Sequence, residues 1–220
     1  MFFGGSCFLC RGAAQALLCA RCDADLPRLG RERCPRCALE SPAGAVCGRC
    51  LARPPAFDAT VAALSYQFPA DVLVQALKFR SELALAAFFG QLLEARAAKS
   101  ERVDFVVPVP LFAQRLRERG FNQAIEIARP LARAAGARLA PELCERIRDT
   151  PPQLGLPLEE RRKNVAGAFR CPAPVAGATL ALVDDVMTTG ATLDEIAQSF
   201  KRSGAARVVC WVLARTPAPG

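Results

Sequence analysis

The chain has 220 residues, 52% hydrophobic and 23% charged, which excludes a disordered or fibrous protein and leaves room for one full domain plus a small module. Basic residues outnumber acidic ones by 29 to 21, and the net charge of +8 suits an anionic partner such as phosphate or nucleic acid, although GC-rich coding also produces such an arginine bias. Histidine is absent, so Ser-His and Cys-His nucleophile pairs are excluded within this chain.

The N-terminal stretch MFFGGSCFLC lacks the basic region, apolar core and cleavage site of a secretory signal. The longest apolar run, residues 83–93, is too short to span a bilayer and carries Gln91. No membrane insertion is expected, and the expected setting is cytoplasmic and reducing.

Four Cys-x-x-Cys knuckles follow in fifty residues: Cys7/Cys10, Cys19/Cys22, Cys34/Cys37 and Cys47/Cys50. A two-residue gap lets both thiolates of a knuckle bend onto one metal, and two knuckles complete a tetrahedral site. Eight ligands predict two structural zinc ions in a double zinc ribbon over residues 1–52. The simplest pairing is sequential, and an interleaved one also satisfies the spacing. Apart from its cysteines the module has few apolar groups, so metal binding is expected to supply most of its folding free energy. Its arginines give it a basic surface suited to nucleic acid, to a protein partner or to a clamp on the rest of the chain.

The Pro-containing break at 52–57 separates this module from a second domain over 57–220. There the pattern alternates: a strand over 60–68, helices over 70–79 and 82–98, a buried strand over 103–111, and a helix over 121–136 that Pro130 should kink or divide. A strand over 179–186 follows, then a helix over 191–204 with Leu193, Ile196, Ala197 and Phe200 on one face, and a last strand over 206–215. Apolar strands alternating with helices predict an α/β fold, a parallel sheet covered on both faces. Ligands of such sheets sit beyond the C-terminal strand ends.

The stretch TLALVDDVMTTGATLDEI places Asp184 and Asp185 at such an end. Two carboxylates there can accept hydrogen bonds from a vicinal diol or share a divalent cation. The turn Thr188, Thr189, Gly190, Ala191 and Thr192 leads into a helix N-terminus, whose free N–H groups favour an anion. A grip on a diol next to a grip on a phosphate describes a ribose 5-phosphate site. An ordinary strand, turn and capped helix would explain the turn but not two acids ending an apolar strand.

LVDDVMTTGAT closely resembles the 5-phosphoribosyl-1-pyrophosphate (PRPP) motif of type I phosphoribosyltransferases. The four knuckles, VPVPL, RLRERGFNQA, TPPQLGLPLEERRKNVAGAF and this motif, in that order, resemble the ComF family of natural competence and DNA uptake over nearly the whole chain. The resemblance implies a type I phosphoribosyltransferase-like domain in which Asp184 and Asp185 bind the ribose hydroxyls and Thr188 to Thr192 cradle the 5-phosphate, with magnesium accompanying PRPP. It further implies a pyrophosphate turn at Val109 and Pro110, followed by Arg115, Arg119 and Asn122. The stretch 150–169, with Gln153, Arg161, Arg162, Lys163 and Asn164, becomes a flexible loop closing over the pyrophosphate. Implied partners are single-stranded DNA and a DNA-uptake protein of the helicase type.

Two functions follow from this: phosphoribosyl transfer to an unknown acceptor, or a non-catalytic protein that handles single-stranded DNA on the same fold. Thr188 stands where oxopurine salvage enzymes of the superfamily carry an aspartate base, and a neutral hydroxyl does not take up that proton at pH 7. Purine salvage is therefore disfavoured. Stacking residues are scarce, with one Trp, one Tyr and Phe121 as the best exposed aromatic. Removing residues 1–52 would delete a net charge of +3, and PRPP binding should survive if the second domain folds alone.

Overall fold

The computed structural model describes residues 5–97, 101–150, 158–172 and 174–218, the side chains of Leu158, Glu159 and Arg161 excepted. Its N-terminal part holds β1 (Gly5–Ser6), β2 (Ala13–Ala14), α1 (Ala20–Ala24) and α2 (Gly48–Ala52). Then come β3 (Ala59–Ser65), α3 (Ala70–Arg80), α4 (Ala84–Ala97), β4 (Phe105–Pro108), α5 (Ala113–Arg119) and α6 (Gln123–Ala135). The chain closes with β5 (Arg138–Leu139), β6 (Glu145–Arg146), α7 (Leu158–Val165), β7 (Phe169–Arg170), β8 (Thr179–Met187), α8 (Ala191–Arg202) and β9 (Arg207–Arg215).

Five strands form one sheet in the order β3-β9-β8-β4-β5, every pair parallel. The expected α/β architecture is present: a parallel sheet flanked by helices, preceded in the chain by the cysteine module. Successive side chains alternate between faces. Leu180 and Leu182 of β8 join the core under α8, with Leu193, Ile196 and Phe200. Ala181 and Val183 join the core under α3, α4 and α6, with Leu73, Phe89 and Ile127. Both faces are apolar because both are covered.

The cysteine module straddles the edge of this sheet. Cys7, Leu18 and Leu26 bury into the core on the α3–α4 side. Leu29, Cys34, Cys37, Leu39 and Cys50 bury into the core on the α8 side. Between them the chain runs beside edge strand β3, where Leu29 N donates to Ala63 O at 3.1 Å and Ser65 N donates to Pro27 O at 2.7 Å. Thr60 N donates to Pro35 O at 3.0 Å. An uncovered edge would offer these groups to another chain.

Pro130 lies inside α6 without dividing it. Its ring fits against α4 at Gly90, where a Cβ would overlap Pro130 Cγ. Gly90→Ala is therefore expected to destabilise the fold by about 1–3 kcal/mol through overpacking. Alanine's helix propensity, about 1 kcal/mol better than glycine's, opposes that loss. A lowered urea midpoint would show that the notch decides, and a raised one that propensity does. The strand over 103–111 is shorter than expected, because Val109 and Pro110 already belong to the turn that leaves the sheet. Helix α5 has no counterpart in the sequence reading: its one large apolar residue, Leu116, is exposed, so it has no buried stripe.

Candidate functional site

The eight knuckle cysteines gather in two groups, Cys7/Cys10/Cys19/Cys22 and Cys34/Cys37/Cys47/Cys50, each with its Sγ atoms within 4.8 Å of one another. Cys10 and Cys19 Sγ stand 3.7 Å apart, and Cys37 and Cys47 Sγ 3.6 Å apart. Four thiolates about 2.3 Å from one tetrahedral zinc lie about 3.8 Å from each other, so both groups fit the ion. The pairing is the sequential one. In the second group Cys47 N points at Cys34 Sγ, 3.3 Å away.

At the C-terminal end of the sheet, Asp184 is half-buried and Asp185 buried. Asp185 reaches Lys78 of α3, whose Nζ lies 2.9 Å from its Oδ2. This places Asp185 on the same side of the sheet as Ala181 and Val183. Burial alone would lower Lys78; Asp185, and behind it Asp184, outweigh burial and raise it. Asp184 has no such cation in contact among the described residues. Burial first, and then the neighbouring Asp185, push its carboxyl up to about 7, against the pull of Lys78 and Arg146. A carboxyl raised this far is poised to meet a cation or a diol.

Arginines surround the pair. Arg119 of α5 feels the charge of Asp185: burial pulls its guanidinium down, Asp185 supports it and Arg115 opposes it. Arg119 donates to Gln123 Oε1 at 2.6 Å and lies 5.7 Å over the ring of Phe79. Arg115 donates to Thr150 O at 2.9 Å. Arg146 of β6 was not expected here. Burial and then Arg115 lower it, Asp149 and Asp184 hold its charge, and it stacks 5.5 Å over Phe169.

Val109 N donates to Val183 O at 2.9 Å, which seats the 108–110 turn beside the carboxylates. Asn122 is buried and serves this turn from behind. Its side chain caps α6 by accepting from Ala124 N at 2.9 Å and donates to Val109 O at 3.0 Å.

The 188–192 turn is shaped by Gly190, at φ 85°, where a Cβ would stand 2.7 Å from Met187 Cε. Any other residue there is strained by its conformation, and the flexible end of Met187 would have to move aside. Thr189 Oγ1 accepts from Ala191 N at 3.3 Å, at the start of α8. A cavity beside the turn is lined by Arg49, Arg53 and Arg162 together with Thr189, Gly190 and Asp194. Its arginines come from the cysteine module, the linker and α7.

Of the loop residues, Lys163 is exposed on α7, and Asn164 O accepts from Arg148 at 3.0 Å. Gln153 and the side chain of Arg161 lie outside the described residues. Phe121 is half-buried against the α4–α6 core rather than exposed. Among the described residues the exposed aromatics are Phe68 and Phe79, at 76% and 75%. The sequence gives no spacing signal for Lys78, Arg49, Arg146 or Arg215, which reach the site from four separate segments. Among the described residues no helix is long and apolar enough to cross a membrane.

Residues 1–51 match the family model described as a double zinc ribbon domain. The DNA utilization protein YhgH of Salmonella typhi is 38% identical over 227 residues, covering 96% of this chain and 97% of its own. Competence protein F of Haemophilus influenzae is 31% identical over 97% of this chain and 98% of its own. Among solved structures, a purine phosphoribosyltransferase from Pyrococcus horikoshii Ot3 aligns with 71% of this chain and 87% of its own at 18% identity, with a TM-score of 0.32.

Proposed function

Since this chain belongs to the ComF-type family of competence and DNA-utilization proteins, we propose that it binds PRPP at the end of β8 and serves the handling of incoming DNA in the cytoplasm. The observation that carries this reading is one site with two halves. A carboxylate pair sits at the strand end, with Asp184 poised near neutrality. A glycine turn follows at once, opening α8 beside three arginines. The first half suits a ribose diol and the second a 5-phosphate.

Magnesium, when bound with PRPP, would offset charge between the pyrophosphate and the carboxylates. Arg115, Arg119 and Arg146 lie where a departing pyrophosphate would gather negative charge, and fixed cations there favour its departure. Thr188 offers no base, so an acceptor that must lose a proton would have to give it to a carboxylate elsewhere in the site. A second reading, a non-catalytic grip on single-stranded DNA, draws on Phe79 exposed beneath Arg119, a platform for stacking a base. A DNA-uptake protein of the helicase type would deliver such a strand.

The test is calorimetry of PRPP with and without magnesium, followed by mass spectrometry for pyrophosphate after adding single-stranded DNA. Saturable, magnesium-dependent binding is expected. Its absence rejects the site. Binding without pyrophosphate release selects the non-catalytic reading. A labelled single-stranded oligonucleotide is expected to bind weakly, and less as salt rises, because each neutralised phosphate releases counterions. No anisotropy change at low salt would remove direct DNA contact while leaving the phosphoribosyl site standing.

A further inference from the structure

Arg215 ends β9 with its side chain only 2% exposed. A buried guanidinium needs several acceptors; here Nε and Nη1 find them, while Nη2 is buried without a partner among the described residues. Nε donates to Cys37 O, in the second knuckle pair, at 2.8 Å. Nη1 donates to Met187 O at 3.0 Å, to Thr188 O and to Thr216 O at 2.8 Å. One planar group thus ties the backbone of a cysteine ligand to the backbone that starts the 188–192 turn.

Three further contacts join the same two places. Arg49, between Cys47 and Cys50, donates to Thr189 O at 3.4 Å. Ala56 N, just past the module, donates to Asp194 Oδ1 at 2.7 Å in the first turn of α8. Cys37, Ala38, Leu39 and Cys50 share a core with Phe57, Met187, Ala191 and Leu193. The first cysteine cluster packs elsewhere, with Cys7 in the core on the opposite face of the sheet.

We propose that Arg215 and Arg49 make the second four-cysteine cluster a positioning element for the 188–192 turn, so that metal at Cys34, Cys37, Cys47 and Cys50 raises the turn's affinity for a phosphate monoester while metal at the first cluster does not. This rests on the phosphoribosyl reading of the turn. The turn's carbonyls are held by the guanidinium, and the guanidinium is held by the carbonyl of Cys37, whose thiolate would be fixed by bound zinc. Linkage makes the effect reciprocal: ligand on the turn must tighten the second cluster by the same factor.

The experiment uses the zinc-loaded full chain, ribose 5-phosphate as probe, and pulsed thiol alkylation mapped by peptide mass spectrometry. Ribose 5-phosphate is expected to slow alkylation of Cys34, Cys37, Cys47 and Cys50 about tenfold, an ordinary coupling factor, and to leave Cys7, Cys10, Cys19 and Cys22 unchanged. Arg215→Lys keeps the charge but loses the planar fork, and Arg49→Met removes the contact to Thr189 O together with one of the cavity's three positive charges, so the loss of cluster-specific protection, not the loss of affinity alone, carries the test. Together they should weaken ribose 5-phosphate binding about tenfold with two zinc ions still bound, and abolish the protection. Wild-type binding with protection of both clusters or of neither overturns the inference alone. So does unchanged affinity in Arg49→Met combined with Arg215→Lys. No wild-type binding of ribose 5-phosphate or PRPP overturns both the inference and the reading beneath it.

Discussion

Asp184→Asn is expected to weaken magnesium–PRPP binding about tenfold without lowering the unfolding midpoint of the ligand-free protein. A hydrogen bond to a charged acceptor contributes about 1.5–3 kcal/mol, and losing one at the low end is about tenfold in affinity. The stability half of the result follows from the raised carboxyl. Burial, then Asp185, push Asp184 up to about 7, far above the usual value near 3.9 of an unfolded aspartate. The folded state therefore holds this proton more tightly than the unfolded one. Its contribution is fully present below the unfolded value and is lost as pH rises through about 7. At pH 8 the ionised group is a burden, and asparagine removes it. A ligand that needs the carboxylate binds better as pH rises through that window, so the gap between wild type and Asp184→Asn should widen from pH 6 to pH 8. Asp185→Asn behaves differently, because it leaves half-buried Lys78 without its ion-pair partner and with only the charge of Asp184 behind it, a loss of up to about 3 kcal/mol. Adding Lys78→Met should restore the midpoint but not the affinity. Titration calorimetry at the two pH values, with thermal melts, reads all of this. Unchanged affinity in Asp184→Asn rejects the assignment.

The largest effect is expected from removing residues 1–52. The fragment from residue 53 onward should neither bind PRPP nor melt in one cooperative step. Leu18, Leu26, Leu29 and Leu39, all 6% exposed or less, leave with the module. Burying one leucine contributes about 1.5–3 kcal/mol, and four of them match the whole stability of an ordinary domain, about 5–15 kcal/mol. Edge strand β3 loses its cover, and Arg215 loses Cys37 O. Chelating both metals from the full chain should have the same outcome by another route, since structural zinc contributes about 10–16 kcal/mol to small ribbons. Size-exclusion chromatography and urea melts decide it. A monomeric fragment with a sharp transition would show that the two cores close without the module. The expectation that PRPP binding survives this truncation depended on a second domain that folds alone, and the shared cores argue against that condition.

What the sequence determines by itself is whatever has a short period or a fixed spacing. Four two-residue cysteine gaps announce two metal clusters, because a tetrahedral ligand set can be read from local geometry. The buried strands and the face Leu193, Ile196, Ala197 and Phe200 can be read because burial on both sides of a sheet, or on one side of a helix, leaves an apolar period. The strand end with two acids and a glycine turn can be read for the same reason: all its parts are within nine residues.

Only the tertiary structure decided which distant residues meet there. Lys78 reaches Asp185 across more than a hundred residues, and the charge of Arg146 acts on Asp184 from a two-residue strand with no periodic signal. Phe79 is exposed and Phe121 is not, although both are phenylalanines with a basic residue within two positions. Pro130 does not divide its helix, because Gly90 on another helix leaves room for its ring. The cysteine module reads as separate because its composition changes at 52–57. It is joined to the sheet because its few leucines are spent on the two cores rather than on its own, a choice that sets no local pattern.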